Sequence, residues 1–258
     1  MPGDKNLNAE NNLAQQSYWD NSYADYHFQA VPKDDVIRVW IEKFVPDAGS
    51  GSCFEAGCFP GRYLAIFAAK GYEVNGIDLT PRVTDELPEW FKNQGYRCGL
   101  FQRQDFFQFN TSTRFNVVCS FGFIEHFKNW KEVIAKHADL TADNGYVVIV
   151  TPNFKGVLQQ VIHRYLDSEN LKRHYLPSMN PRKWKKILAA HGFEIAYAGY
   201  IGTFDFWVDK APQSFFKKLI YHSLHKYKSL ISRFAGTGSF ASPYIGIVAK
   251  KNSTANRI

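Results

Sequence analysis

The 258-residue chain has few of the features that mark several protein classes. Its four cysteines, Cys53, Cys58, Cys98 and Cys119, form no CxxC pair. Three of them sit in or beside apolar runs, as small buried residues do in a reducing compartment. No apolar run approaches the roughly 20 residues that a membrane-spanning helix needs. The N-terminal MPGDKNLNAENNLAQQ lacks the apolar stretch of a secretory signal. These absences suggest a cytoplasmic protein. There is no internal repeat, and no set of metal ligands is assigned. Acids are also in the minority, 24 against 31 Lys and Arg, for a formal charge of +7. That charge favours encounter with nucleic acid, a membrane surface or a phosphorylated substrate, and equally serves solubility. Aromatic residues are plentiful, with 22 Phe, 14 Tyr and 6 Trp. Most suit a core, and some suit a site for a flat or amphipathic ligand.

Residues 1 to about 15 are rich in Asn, Gln and Ala and read as disordered. In DDVIRVWIEKFV, Val36, Trp40, Ile41 and Phe44 recur at helical spacing. From there strands and helices alternate. Strands are expected at 52–57, 72–78, 97–105, 115–122, 145–150, 193–202 and 243–251. Helices are expected at 62–71, after Thr80-Pro81, at about 129–139 and at 181–191, with a long connector between the fifth strand and Asn180-Pro181. The pattern predicts an α/β, doubly wound, Rossmann-like fold: seven strands, mostly parallel, with helices on both faces. It divides into a flexible N-terminus at 1–33, serving as a candidate lid, and a main domain at 34–258 with a helical insertion at about 205–240.

That insertion contains KAPQSFFKKLIYHSLHKYKSLISRF (210–234), with six Lys or Arg and no acid. Phe216, Leu219, Ile220, Leu224, Tyr227, Leu230, Ile231 and Phe234 form one apolar stripe at helical period. Such a helix can lie on an anionic membrane or beside a lipid-linked substrate. The plainer expectation, favoured here, is that the stripe packs on the domain and the charges face water.

Ligands of a doubly wound sheet bind beyond the carboxyl ends of its strands. The first strand runs into Glu55-Ala-Gly57-Cys-Phe59-Pro60-Gly61, and the second ends in Asp78, placed to bond both hydroxyls of a ribose. A pyrophosphate in this loop is disfavoured. Phe59 obstructs backbone approach, Pro60 supplies no N–H, and the spacing is GxxxG rather than GxGxxG. The third strand ends in Asp105-Phe106, and the fourth in SFGFIEH, which includes Ser120 and His126.

This set, ExGxxxG, Asp after the second strand, Asp-Phe after the third and Glu-His after the fourth, resembles a class I S-adenosylmethionine-dependent methyltransferase. The likeness spans about residues 35–203 plus the closing strand. It is nearest to ubiquinone-biosynthesis-type enzymes and those of surface-polysaccharide clusters. The resemblance implies S-adenosyl-L-methionine as cofactor. It implies that Glu55 and Gly57 shape the loop beside the methionine portion, that Gly61 starts the helix and that Asp78 takes the ribose hydroxyls. Asp105 would then accept from the adenine amino group, with Phe106 flanking the ring. The family's commoner loop has glycine at Phe59, which is tolerable if φ stays negative. Its ring either faces the sulfonium or packs against the helix.

An oxygen acceptor must lose a proton, so histidines near the strand ends are weighed as bases. His126 is either the base or a side chain packed over the cofactor. His174, in the long connector, is either the base or a structural residue. His163 and His191 lie in apparent helices and are read as structural. Tyr18, Trp19 and Tyr23 are lid candidates or a simple anchor for the N-terminus. Arg164, Lys172, Arg173 and Arg182 suit an anionic acceptor or a solvated face. The expected activity is methyl transfer to an oxygen of a small molecule or glycan, lipid- or nucleotide-linked. Nucleic-acid methylation and NAD-dependent oxidoreduction are the alternatives. The first is opposed by SFGF where base-amino enzymes carry [DNS]PP[YFW], and the second by the loop.

Overall fold

The computed structural model describes residues 11–253. Seven strands form one sheet: β1 (Ser52–Ala56), β2 (Glu73–Asp78), β3 (Cys98–Arg103), β4 (Phe115–Phe121), β5 (Thr141–Pro152), β6 (Phe193–Ile201) and β7 (Tyr244–Lys251). Their order is β3-β2-β1-β4-β5-β7-β6, parallel except for β7, which runs against both β5 and β6. Successive strand residues point to opposite faces, and the core divides accordingly. Cys53, Val117, Val148 and Val248 belong to the cluster on one face, and Phe54, Val118, Ile149 and Ile247 to the cluster on the other.

Helices cover both faces. Helix α1 (Gln16–Ser22) precedes them in the chain; on the first face lie α2 (Val36–Phe44), α3 (Leu64–Ala69) and α4 (Glu86–Asn93), and on the second lie α5 (Trp130–Leu140) and α8 (Pro181–Ala190). Local signals fix several boundaries. The Asp35 carboxylate accepts from the N–H groups of Ile37 and Arg38, and the Asn180 side chain from that of Lys183. Thr80-Pro81 opens only a short 3₁₀ turn, Pro81–Val83, before α4 begins at Glu86. Strand β5 starts four residues earlier than expected, and its register to β4 jumps from Thr141 to Tyr146 across Asn144, whose φ is 59°.

Three segments depart from expectation. Residues 1–10 lie outside the described residues, but 11–15 do not behave as a loose tail. Leu13 N–H donates to the His126 carbonyl at 2.8 Å and Lys128 N–H to that of Asn11 at 2.9 Å. The connector after β5 folds into α6 (Val157–Leu166) and α7 (Ser168–Lys172). The basic segment forms α9 (Phe215–Ala235), but most of its apolar stripe faces outward. Tyr221, Leu224 and Ile231 pack on the domain, while Phe216, Leu219, Ile220, Tyr227, Leu230 and Phe234 are exposed. Among the described residues no helix is long and apolar enough to cross a membrane. The four cysteines are free thiols.

Candidate active site

Strand order reverses between β1 and β4, so the loops leaving their carboxyl ends splay apart and leave a crevice. A cavity partly open to solvent occupies it. Its walls come from four loops: Gly57 and Phe59 after β1, Asp78 to Thr80 after β2, Gln104 to Phe107 after β3, and Phe121 to Phe123 with His126 and Phe127 after β4.

The first loop is held by its neighbours. Gly57 and Cys58 N–H groups donate to the Ile77 carbonyl at 3.0 and 3.1 Å, and Phe59 N–H to Asp78 Oδ2 at 3.2 Å. Gly57 has φ of +67°, and a Cβ there would lie 2.5 Å from the Phe123 ring, so only glycine fits. Phe59 is not among the positive-φ residues. Its buried ring meets Tyr23 and Phe28 edge-on, each at 5.6 Å, with the Arg82 guanidinium 5.1 Å from its centroid. Phe59 thus forms the floor of an aromatic cap while its backbone orients Asp78.

Asp78 also accepts from Thr80 N–H at 3.0 Å, and burial raises its carboxyl to about 6 despite these bonds. Asp105 Oδ1 accepts from Phe107 N–H at 2.7 Å, and the buried Phe106 ring packs on Phe123. Glu55 lies behind the cavity, buried, with Oε2 unpartnered; burial and then Asp78 push its carboxyl well up. Gly61 sits below the loop, where a Cβ would meet Leu87 at 2.6 Å, and Ser120 is buried in β4. Of the predicted cofactor residues, Gly57, Phe59, Asp78, Asp105 and Phe106 line the cavity; Glu55, Gly61 and Ser120 support it from behind.

His126 lines the same cavity. Its Nδ1 faces the Arg173 carbonyl at 2.8 Å, and its ring lies 4.7 Å from that of His174, which stands behind it with Nδ1 facing the Asn170 carbonyl at 2.7 Å. Burial lowers His126 to about 4 and His174 well below the usual range, so both rings are neutral near pH 7. Glu125 completes the group: each residue places a donor or acceptor atom within 4.8 Å of the others'. It is fully buried with both carboxylate oxygens unpartnered, and burial raises it to about 8.

The N-terminal segment roofs the cavity with Asn12, Gln16, Trp19 and Tyr23. Trp19 meets His126 edge-on at 5.0 Å and stacks on Tyr23 at 6.0 Å. Arg82 ties the segment down by donating to the carbonyls of Tyr23 and Tyr26. Tyr18 stands outside, bonded to Asp209, which also pairs with Arg173. The remaining cations are elsewhere. Lys172 pairs with Glu169, Arg164 is exposed, and Arg182 lines a separate groove with Lys155 and Lys185. His163 is buried against Phe154, and His191 ends α8. Glu125, Asn12 and Gln16 were not singled out from sequence. Glu125 had a signal in its Glu-His pair, whereas Asn12 and Gln16 lie in a polar stretch without one.

The chain belongs to the methyltransferase-domain family, whose model matches residues 27–198, and it is a class I S-adenosylmethionine-dependent methyltransferase. Similar solved structures share its fold at low identity. A SAM-dependent methyltransferase from Archaeoglobus fulgidus is 17% identical over 92% of this chain and 100% of its own, with a TM-score of 0.56. The magnesium protoporphyrin IX methyltransferase ChlM from Synechocystis, with bound SAH, is 16% identical over 92% and 93%, TM-score 0.53. The N-methyltransferase NodS from Bradyrhizobium japonicum, also with SAH, is 13% identical over 93% and 94%, TM-score 0.53. No curated protein matches the chain in sequence. The residues present fit this cofactor. A cationic sulfonium and ammonium suit a cavity backed by Glu55, whose buried Oε2 lacks a partner, and an adenosine suits Asp78 and Asp105 beside Phe106 and Phe123.

Proposed function

We propose that this chain methylates an oxygen of a small molecule or glycan, lipid- or nucleotide-linked, in the cytoplasm. The observation that carries the reading is that His126, a neutral imidazole, opens onto the same cavity as Asp78 and Asp105. In this assignment Asp78 accepts from the ribose hydroxyls and Asp105 from the adenine amino group, with Phe106 against the ring. S-adenosylmethionine supplies an electrophilic methyl group when bound. Trp19 and Tyr23 keep water from the reacting atoms.

His126 takes the acceptor's hydroxyl proton. Its Nδ1 faces a carbonyl and so carries hydrogen, which leaves Nε2 as the accepting atom. The Arg173 and Gly122 carbonyls favour the ring's protonated form, while burial opposes it more strongly. The base therefore releases its proton readily after each turnover. His174 holds the His126 ring from behind. The glycan assignment draws support from the folded connector and from Arg173, the predicted cation that stands beside this site. Its ion pair with Asp209 leaves room for an acceptor of either charge.

A screen of hydroxylated acceptors with methyl-labelled cofactor tests the reading. O-methyl product is expected, with kcat for His126→Ala lower by about 10²–10⁴ and SAH affinity unchanged. Methyl transferred to nitrogen or to nucleic acid, or full activity in His126→Ala, would overturn it.

A further inference from the structure

Helix α9 shows three faces. At about 100° per residue, Lys217, Tyr221, Leu224, Lys228, Ile231 and Ala235 share the side turned to the domain, where Lys228 pairs with Asp205 at 2.6 Å. The exposed apolar row, Phe216, Leu219, Ile220, Tyr227, Leu230 and Phe234, is rotated by about 110° from that side. Lys218, Lys226 and Arg233 lie about 100° further round and are exposed. Within its 21 residues the helix has no acid. The neighbouring α6 carries its own exposed row, Val157, Val161 and Tyr165, and Lys217 Nζ stands 5.5 Å from the Tyr165 ring.

We propose that α9 docks the protein on an anionic lipid bilayer, lying flat in its surface. Six large apolar side chains open to water over about 27 Å of helix are more than a helix anchored on one face requires. The described residues leave them uncovered, and the helix is too short of apolar residues to cross a membrane. Charge selects the occupant. Cations flank the apolar row on the side away from the domain, at the level where lipid phosphates would lie, as in interfacial helices. A second copy of α9 would bring basic residues against basic residues with no acid on either helix. The inference does not depend on the identity of the methyl acceptor.

Flotation of the full chain with vesicles of phosphatidylcholine containing 30% phosphatidylglycerol, against pure phosphatidylcholine, tests it. Binding to the anionic vesicles at least tenfold stronger is expected, weakening as salt rises. Lys226→Glu/Arg233→Glu should lose binding by tenfold or more, and Leu219→Glu/Leu230→Glu should abolish it. All altered residues are exposed. An unchanged circular dichroism spectrum and SAH thermal shift will establish that each variant is folded with its cofactor site intact. Failure of the folded full chain to float at any salt would overturn the proposal. So would equal binding to both vesicle types, or a concentration-dependent dimer that Leu230→Glu dissolves without any vesicle binding.

Discussion

Gly57→Ala must place a methyl against Phe123 at a positive φ, which costs about 1–2 kcal/mol in backbone strain alone. It should lower the melting temperature and weaken SAH binding together, measured by thermal melting and calorimetric titration. Glu125 makes a pH-dependent contribution whose sign follows from its raised carboxyl. The folded state holds a proton that the unfolded chain releases above about 4.5, so stability falls as pH rises from there through about 8. Glu125→Gln removes this loss. Between pH 6 and 8, urea denaturation should show the variant gaining about 2 kcal/mol on the wild type. His126 and His137, both lowered to about 4, act in the opposite direction: folding stability drops as pH falls from about 6.5 towards 4, in both proteins alike. A difference between them that stays constant with pH would mean that Glu125 is ionised in the fold.

At the scale of elements, the N-terminal segment is the part whose removal should separate binding from folding. Trp19 contacts His126 and Tyr23 but stays partly exposed, so Trp19→Ala should weaken SAH binding by about five- to tenfold, roughly 1–1.4 kcal/mol. Its melting temperature should shift little; an unaltered affinity would leave the segment no part in enclosing the cofactor. Elements were legible where side chains follow the period of their structure. The alternating strand residues and the helices opened by Asp35 and Asn180 are examples. Helix α6 shows in the sequence only as an apparent helix about His163 within the long connector, because its pattern is inverted. Gln159 and His163 face inward, with Gln159 Nε2 bonding the carbonyls of Asp205 and Ala241, while Val157, Val161 and Tyr165 face water. Residues 11–13 are held by backbone hydrogen bonds, which leave no mark on side-chain composition. The stripe on α9 was visible in the sequence; that the domain covers only part of it was not, since periodicity does not say what packs on a face.

For the whole molecule, the sheet order decides which strand ends converge, and the residues foreseen at those ends by their spacing, Gly57, Asp78, Asp105 and His126, do meet in one cavity. What the linear chain could not show was depth: Glu55 and Ser120 lie one layer behind, and His174, in the bend that follows α7, comes in to stand behind His126. The central claim is that the Asp78 cavity binds the methyl donor. Its most direct test is thermal shift with S-adenosylmethionine, S-adenosylhomocysteine and NAD, on wild type and Asp78→Ala. At about a hundredfold excess over Kd, the two adenosyl ligands should raise the wild-type melting temperature by roughly 5–10 °C. NAD should leave it unmoved, and the Asp78→Ala protein should respond to none of the three. Stabilisation by NAD alone, or an undiminished S-adenosylhomocysteine shift in Asp78→Ala, would contradict the account.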